Sequence, residues 1–332
     1  MTNQPPDRNQ ILEMMAAFRP ACVIGAAAEL DLFTAIGEQA LSLETIAEKV
    51  DGDRRALRIL LDAVAALGLL EKHDDLYQVP PALRPLLISG NPQCILPMIW
   101  HSTAILRGWS QLAWVARAGI PGPRTASIRG AEADRAAFVA AMHTVSAPIA
   151  EGLVARLGPP QFRHLLDVGG ASGTWTLALL RASPGAQATI FDLPDAIEQA
   201  QARIHGSELA DRVILVPGDF YVDPLPAGAD YAWISAIIHQ HSRQRNRELF
   251  AKVFAALERG GRVGVRDIVM DPSRTQPLFG ALFAVNMLAN TDNGNTYTLE
   301  EISADLQAAG FIEPRLAVPA DDMQAVVEAR KP

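Results

Sequence analysis

Residues 164–194, HLLDVGGASGTWTLALLRASPGAQATIFDLP, constrain the fold more than any other stretch. Leu165, Leu166 and Val168 read as a short apolar strand. Gly169, Gly170 and Gly173 make a turn with no side chains in the way, and Thr174 to Arg181 reads as a helix. A second strand, Ala188 to Phe191, ends in Asp192. A strand, a glycine turn and a helix start bring backbone N–H groups around the polar end of a ligand. An acid at the tip of the second strand is placed to accept hydrogen bonds from a ribose diol.

The ligand is not a dinucleotide. The pattern G-x-G-x-x-G, begun at Gly169, needs glycines where Ala171 and Thr174 stand. The phosphate loop G-x-x-x-x-G-K-[ST] is absent, and no Lys or Arg lies between Leu165 and Leu180. Asp167, just ahead of the glycines, repels phosphate and suits a cationic ligand. The D-V-G-G-x-x-G turn followed by F-D-L-P resembles the S-adenosylmethionine site of class I methyltransferases.

The chain has 332 residues, enough for about two domains on the usual size range. Net charge is −8, which disfavours a nucleic-acid binder. The two cysteines, Cys22 and Cys94, build no disulfide framework and no zinc knuckle and fit a reducing compartment. The polar start MTNQPPDRNQ has no apolar core of a signal peptide, and no uninterrupted apolar run approaches membrane-spanning length. These features predict a cytoplasmic protein without a membrane partner.

Residues 1–9 read as a frayed tail and residues 11–36 as two apolar helices broken at Pro20. Their surplus of Met14, Met15, Phe18, Val23 and Ile24 suits a partner subunit. Residues 42–89 read as a winged helix-turn-helix: a helix from Ser42, a turn at Asp51-Gly52-Asp53, a helix from Arg54 to Leu67 with Leu57, Leu60, Leu61, Val64 and Leu67 inward, and a hairpin around His73-Asp74-Asp75. Arg54, Arg55 and Arg58 on the second helix raise a DNA-binding reading. Residues 1–90 carry 8 Lys and Arg against 13 Asp and Glu, so a dimerisation role is favoured. Residues 95–119 are helical and rich in tryptophan (Trp100, Trp109, Trp114), as core or as the wall of a pocket for a flat ligand. Residues 120–124 are a loop. Asp134 to Leu157 is a long helix with Phe138, Met142 and Val145 on one face. These boundaries give a dimerisation domain at 1–119, a linker and connecting helix at 120–160, and a cofactor domain at 161–332.

From residue 161 strands and helices alternate, the mark of a doubly wound, mostly parallel α/β sheet. Val213 to Val216 is a third strand, followed by Gly218-Asp219-Phe220. Tyr231 to Ile238 is a fourth, followed by His239. Arg243 to Leu257 is a helix ended by Gly260-Gly261. Val263 to Val269 is a fifth strand and carries Asp267. Thr298 and Glu301 form a capping box. Ligands of such sheets lie outside the carboxyl ends of the strands, where Asp167, Gly169, Asp192, Asp219 and His239 gather. Asp219 can take an exocyclic amine of adenine and Phe220 can stack on it. His239 is the candidate general base, with Asp267 to orient its imidazole. His239 and His241 also raise a metal reading, but a third ligand is missing and no metal is expected.

From about residue 10 to its end the chain resembles the small-molecule O-methyltransferases of the caffeate and hydroxyindole type, including bacterial tailoring members. L-L-D-V-G-G-A-S-G, F-D-L-P, P-G-D-F and the A-G-F near the C-terminus carry the likeness. The resemblance implies a class I methyltransferase sheet behind an N-terminal helical, winged-helix dimerisation domain, and a homodimer. It implies methyl transfer from S-adenosylmethionine to a hydroxyl of a small aromatic molecule, with His239 and Asp267 catalytic. Asp167, Gly169, Gly170, Asp192, Leu193, Gly218, Asp219, Phe220 and Ser235 would contact the cofactor. Phe138, Met142, Trp109, Asn286 and Asn290 would line the acceptor. Three positions depart from the pattern. H-D-W is His239-Gln240-His241, Thr296 stands near a usual acid, and Ser235 near a frequent lysine. The alternatives are a C- or N-methyltransferase or a non-methylating cofactor binder, and, in another class, a ligand-responsive winged-helix regulator.

Overall fold

The computed structural model describes residues 5–158, 160–170 and 172–332. Residues 1–4 of the expected tail and Ala171 of the glycine turn lie outside them. The chain divides into two compact units, Met1–Arg107 with Thr125–Thr144, and Gly108–Arg124 with Val145–Pro332. The boundaries read from the sequence fell at 119 and 160. They differ because one 27-residue helix belongs to both units.

In the first unit α1 (Arg8–Ala16) begins inside the expected tail, since Asp7 and Gln10 form a capping box. α2 (Phe18–Glu29) follows after a break at Ala17 rather than at Pro20. Pro20 sits in the first turn of α2, where its missing N–H is no loss. α3 (Leu32–Ile36), β1 (Leu41–Ser42), α4 (Leu43–Val50) and α5 (Arg54–Ala66) come next. Asp51 in the left-handed region closes α4, and the Asp53 side chain caps α5. Leu57, Leu61 and Val64 face the core as their spacing predicts. Leu67 does not: it is exposed, one step past the helix end. β2 (Glu71–His73) and β3 (Leu76–Gln78) form the expected hairpin, in a small sheet ordered β1-β3-β2. α6 (Arg84–Leu87) and α7 (Leu96–Trp109) follow. Ala27, Phe33, Ile46, Leu61 and Tyr77 centre the core, and the Trp100 indole donates to the Ala28 carbonyl.

α8 (Leu112–Ala118) closes on Gly119 in the left-handed region. Its Trp114 is 72% exposed, a correction to the expectation that tryptophan density marks core or pocket wall. α9 (Ala131–Leu157) starts three residues earlier than expected and carries Pro148. Arg8–Glu29 and Ala131–Leu157 are long and apolar enough, by length and composition, to cross a membrane. The sequence scan for uninterrupted runs passed over them because scattered polar residues divide each. Ala27 and Ala28 of α2 and Ala150, Leu153 and Val154 of α9 are buried in protein cores.

The second unit is built on β4 (His164–Val168), α10 (Thr174–Ala182), β5 (Gln187–Asp192), α11 (Pro194–His205), β6 (Val213–Pro217) and β7 (Ala229–Ser235). Then come α12 (Arg243–Ala256), β8 (Leu257–Asp267), β9 (Val269–Met270), α13 (Leu278–Asn290), β10 (Tyr297–Thr298), α14 (Leu299–Ala308), β11 (Ile312–Val318) and β12 (Ala325–Arg330). The sheet order is β11-β12-β8-β7-β4-β5-β6. The five strands from β8 to β6 are parallel, and β12 runs against β8. Both faces are covered, so the central strands are buried and mostly apolar. Leu165, Ile190 and Trp233 face α10, whereas Leu166, Ile234 and Val265 join Phe250 and Leu306 on the other side.

Two boundaries are corrected. Gly260 and Gly261 lie inside β8, where its register against β7 shifts, instead of ending a helix. The fourth strand stops at Ser235, so His239 is not a strand residue.

Candidate active site

Past β7 the chain bends at Ala236, whose φ is +58°. A 3₁₀ turn over Ile238–Gln240 then carries His239 inward. Its Nδ1 lies 2.9 Å from Asp267 Oδ1 and 3.0 Å from Oδ2. Asp267 Oδ1 also accepts the Ile268 N–H at 2.8 Å. Both side chains are buried. A carboxylate on Nδ1 keeps the proton there and leaves the Nε2 lone pair free to take another. The turn is fastened from three sides. The Asn295 N–H donates to the His239 carbonyl at 2.9 Å, Asn246 Nδ2 to the Ile238 carbonyl at 3.0 Å, and the Tyr297 hydroxyl to the His241 carbonyl. Gln240, where the resembled family has an acid, donates to the Ala236 carbonyl at 3.1 Å. Thr296 is buried and brings no carboxylate.

His241 serves a different purpose from His239. It is buried against Phe220 and hydrogen-bonded to the Tyr221 hydroxyl at 2.9 Å. Burial, with His239 beside it, pushes its pKa down to about 4, so it is neutral near pH 7. Among the described residues no group of three or more His, Cys, Asp or Glu is gathered to hold a metal ion.

The carboxyl ends of β4, β5 and β6 are stitched into one crevice. The Gly169 N–H donates to the Phe191 carbonyl at 2.8 Å, and the Gly218 N–H to the Asp192 carbonyl at 2.9 Å. Gly169 has a φ of +71°, and a Cβ there would lie 2.7 Å from Ile237 Cδ1. A Cβ on Gly218 would enter the Phe191 ring. Asp192 is half-buried and receives the Leu193 N–H at 2.7 Å; Leu193 itself is exposed. Asp219 accepts the Tyr221 N–H at 2.8 Å, so it builds its turn as well as edging the crevice. Phe220 is half-buried, with its ring 4.7 Å from that of Tyr221.

Asp167 lies beneath the turn, beside Gly170, and is buried. Thr176 Oγ1 donates to its Oδ2 at 2.5 Å, and its Oδ1 has no hydrogen-bond partner among the described residues. Burial, reinforced by Asp192, raises its pKa to about 7. An orphaned buried carboxylate oxygen under the crevice and a second acid at its edge favour a cationic ligand over a phosphate. These residues fit S-adenosylmethionine. Ser235 is half-buried at the end of β7, and its Oγ accepts from Arg266 Nη1 at 2.7 Å.

The expected acceptor contacts divide. The Trp109 indole donates to Asn286 Oδ1 at 2.9 Å, and Asn290 Nδ2 donates to the same oxygen at 2.9 Å. These three polar groups hold one another. Phe138 and Met142 fall in the part of α9 that belongs to the first unit, where Phe138 packs on His101 at 5.1 Å. The sequence reading missed Phe283, whose ring meets the His239 imidazole edge-on at 4.9 Å, with Phe279 stacked on it at 5.9 Å. Their spacing of four in the apolar run LFGALFAVNML was the available signal.

Comparison with known proteins identifies the family. The O-methyltransferase domain family matches residues 101–312, and the O-methyltransferase dimerisation domain family matches residues 12–84. The tetracenomycin polyketide synthesis 8-O-methyl transferase TcmO of Streptomyces glaucescens is 32% identical over 97% of this chain and 96% of its own. The 3-hydroxy-5-methyl-1-naphthoate 3-O-methyltransferase of Streptomyces sahachiroi is 31% identical over 87% of this chain and 85% of its own. Among solved structures, PigF with SAH, a methyltransferase known from a Serratia strain, superposes with a TM-score of 0.86 at 25% identity, covering 98% of this chain and 100% of that one. The two domain families matched in succession, together with relatives more than 30% identical over most of both chains, show that the chain belongs to the O-methyltransferase family and is an S-adenosylmethionine-dependent methyltransferase.

Proposed function

We propose that this enzyme methylates a hydroxyl group of a small aromatic molecule, with His239 as general base and Asp267 as its orienting partner. The observation that carries the reading is the buried Nδ1–carboxylate contact of 2.9 Å beside the cofactor crevice. Bound S-adenosylmethionine supplies an electrophilic methyl group. A neutral phenol, with a pKa of about 10, must lose its proton as it attacks. Nε2 of His239 takes that proton, and Asp267 stabilises the imidazolium that results. Asp192 would accept hydrogen bonds from the ribose hydroxyls, and Asp219 and Phe220 would hold the adenine. Phe283 and Phe279 give a flat acceptor an aromatic wall beside the base. The reading requires no metal. Its support in kin is that the two Streptomyces relatives are named for O-methylation of aromatic compounds. Incubation with methyl-labelled S-adenosylmethionine and a panel of phenols, hydroxynaphthoates, hydroxyquinones and indoles tests it. Label on oxygen is expected; label on carbon or nitrogen, or none, overturns it.

Asp192→Ala is expected to weaken cofactor binding by about 1.5–3 kcal/mol, the worth of hydrogen bonds to a charged group. Calorimetry on the folded variant checks this, and unchanged affinity refutes the ribose assignment. We also propose a homodimer through α1 and α2. α1 buries none of its residues in this chain, and Met14, Met15 and Phe18 are more than half exposed. Light scattering at micromolar concentration should give twice the chain mass, and the pair Met15→Glu with Phe18→Glu should halve it.

A further inference from the structure

We propose that Arg266 and the N-terminus of α10 anchor the α-carboxylate on the methionine arm of S-adenosylmethionine. The proposal rests on the cofactor assignment and adds to it a residue that no motif marks.

Arg266 is the anomaly among the charged groups of the second unit. It is only 3% exposed. Several other arginines sit on acids, Arg163 on Asp230, Arg243 on Asp305 and Arg315 on Glu328, and Arg203 and Arg212 give their N–H groups to backbone carbonyls. Among the described residues no carboxylate lies within ion-pair distance of Arg266. Asp267 alternates to the other face of β8 and holds His239. Asp322 is close enough to act on Arg266 through space, but its two oxygens hold the Gln324 N–H at 2.8 Å and Nε2 at 2.9 Å. Arg266 stacks 4.3 Å over the Trp175 ring, gives Nη1 to Ser235, and leaves Nε buried with no partner among the described residues. A buried charge in this state is costly unless an anion joins it.

Its location names the anion. Arg266 pairs in register with Ser235 at the carboxyl ends of β8 and β7. One step beyond the last β4–β7 pair, Val168 with Ile234, stand Gly169 and Ser235. The guanidinium therefore lies on the α10 side of the sheet, level with the glycine turn. Trp175 beneath it is the second residue of α10, and no side chain caps that helix start. A cation and a helix N-terminus converge where the crevice opens. The methionine arm carries one anionic group, the α-carboxylate, and its ammonium suits Asp167. No Lys or Arg between Leu165 and Leu180 can meet that carboxylate, and the fold brings one from a strand 100 residues downstream of β4.

Calorimetry with S-adenosylhomocysteine and its analogue lacking only the carboxylate, 5′-(3-aminopropylthio)-5′-deoxyadenosine, provides the test. The parent protein should bind S-adenosylhomocysteine at least about tenfold tighter than the analogue, the usual strength of a charge-assisted contact. Arg266→Met should lose about 10–100-fold for S-adenosylhomocysteine and less than about threefold for the analogue, and Arg266→Lys should keep part of the preference. Equal loss for both ligands, or no loss, overturns the proposal and leaves Arg266 a packing residue on Trp175. Where Arg266→Met does not fold, Arg266→Gln and the parent's own ratio decide, and a parent with no preference overturns it. A parent that binds neither ligand overturns the cofactor assignment itself.

Discussion

His239→Ala is expected to lower turnover by about 10²–10⁴-fold, the usual worth of a positioned general base, and to leave cofactor affinity nearly unchanged. The split follows from geometry. Asp267 holds Nδ1, so Nε2 is the one ring nitrogen open to an acceptor, and the cofactor crevice is built by other strand ends. The residual rate of the variant should climb with pH, because hydroxide ionises a phenol without help from the protein. Asp267→Asn should show a smaller loss of the same kind. It keeps a hydrogen-bonding group at Nδ1 but removes the charge that favours the imidazolium. Steady-state kinetics from pH 6 to 10 with a responsive acceptor checks both variants. Parent-like turnover of His239→Ala at pH 7 would remove His239 from the chemistry and favour an acceptor that arrives already ionised.

The second large effect concerns Asp167. Its carboxyl is buried and its pKa stands at about 7, against 3.8 for the ordinary group. The folded state therefore keeps a proton that the unfolded chain releases near pH 4. Between those values the unfolded state binds fewer protons, so stability falls as pH rises, by about 1.4 kcal/mol per unit. Over roughly three units the loss is about 4 kcal/mol, complete above the folded pKa. Asp167→Asn should abolish that slope. The amide puts an NH2 group, with two N–H donors, in place of the orphaned oxygen, at a cost that is the same at every pH. The difference in stability between variant and parent, followed by melting from pH 4.5 to 8.5 without cofactor, should shift in favour of the variant as pH rises. Parallel curves would show that Asp167 is ionised in the fold. The same variant should bind cofactor less well, having lost its capacity for charge.

The sequence was informative where short-range rules act. The short apolar run of Leu165, Leu166 and Val168, the glycines that follow and the acid at Asp192 each report one local requirement, and the β4–α10–β5 unit has those bounds to within a residue or two. The helix starts at Ser42 and Thr298 behaved likewise. What stayed hidden depends on neighbours distant in the chain. The fourth strand reads as apolar through Ile238, yet it ends at Ser235 because the Ala236 N–H pairs with the Arg266 carbonyl and the backbone then turns. Asn286 and Trp109 both look like polar contacts for a ligand until their 177-residue separation closes into one hydrogen bond. Arg266 carries no mark in its own segment, since its burial is made by Trp175 and Ser235.

The turn that carries His239 has a consequence for how such an enzyme diverges. Its backbone is held by Asn295 and Tyr297 from the segment around TDNGNT and by Asn246 from α12. Gly294 lies so close that a Cβ there would be 2.5 Å from the His239 carbonyl oxygen. A substitution in that segment can therefore tilt the imidazole without touching it. The effect of a change at Gln240 or His241 then depends on which residues occupy 291–297, and the reverse holds. Lineages that exchange acceptors should accumulate changes at the two segments together, and a turn transplanted alone from a relative should arrive with its histidine misaimed.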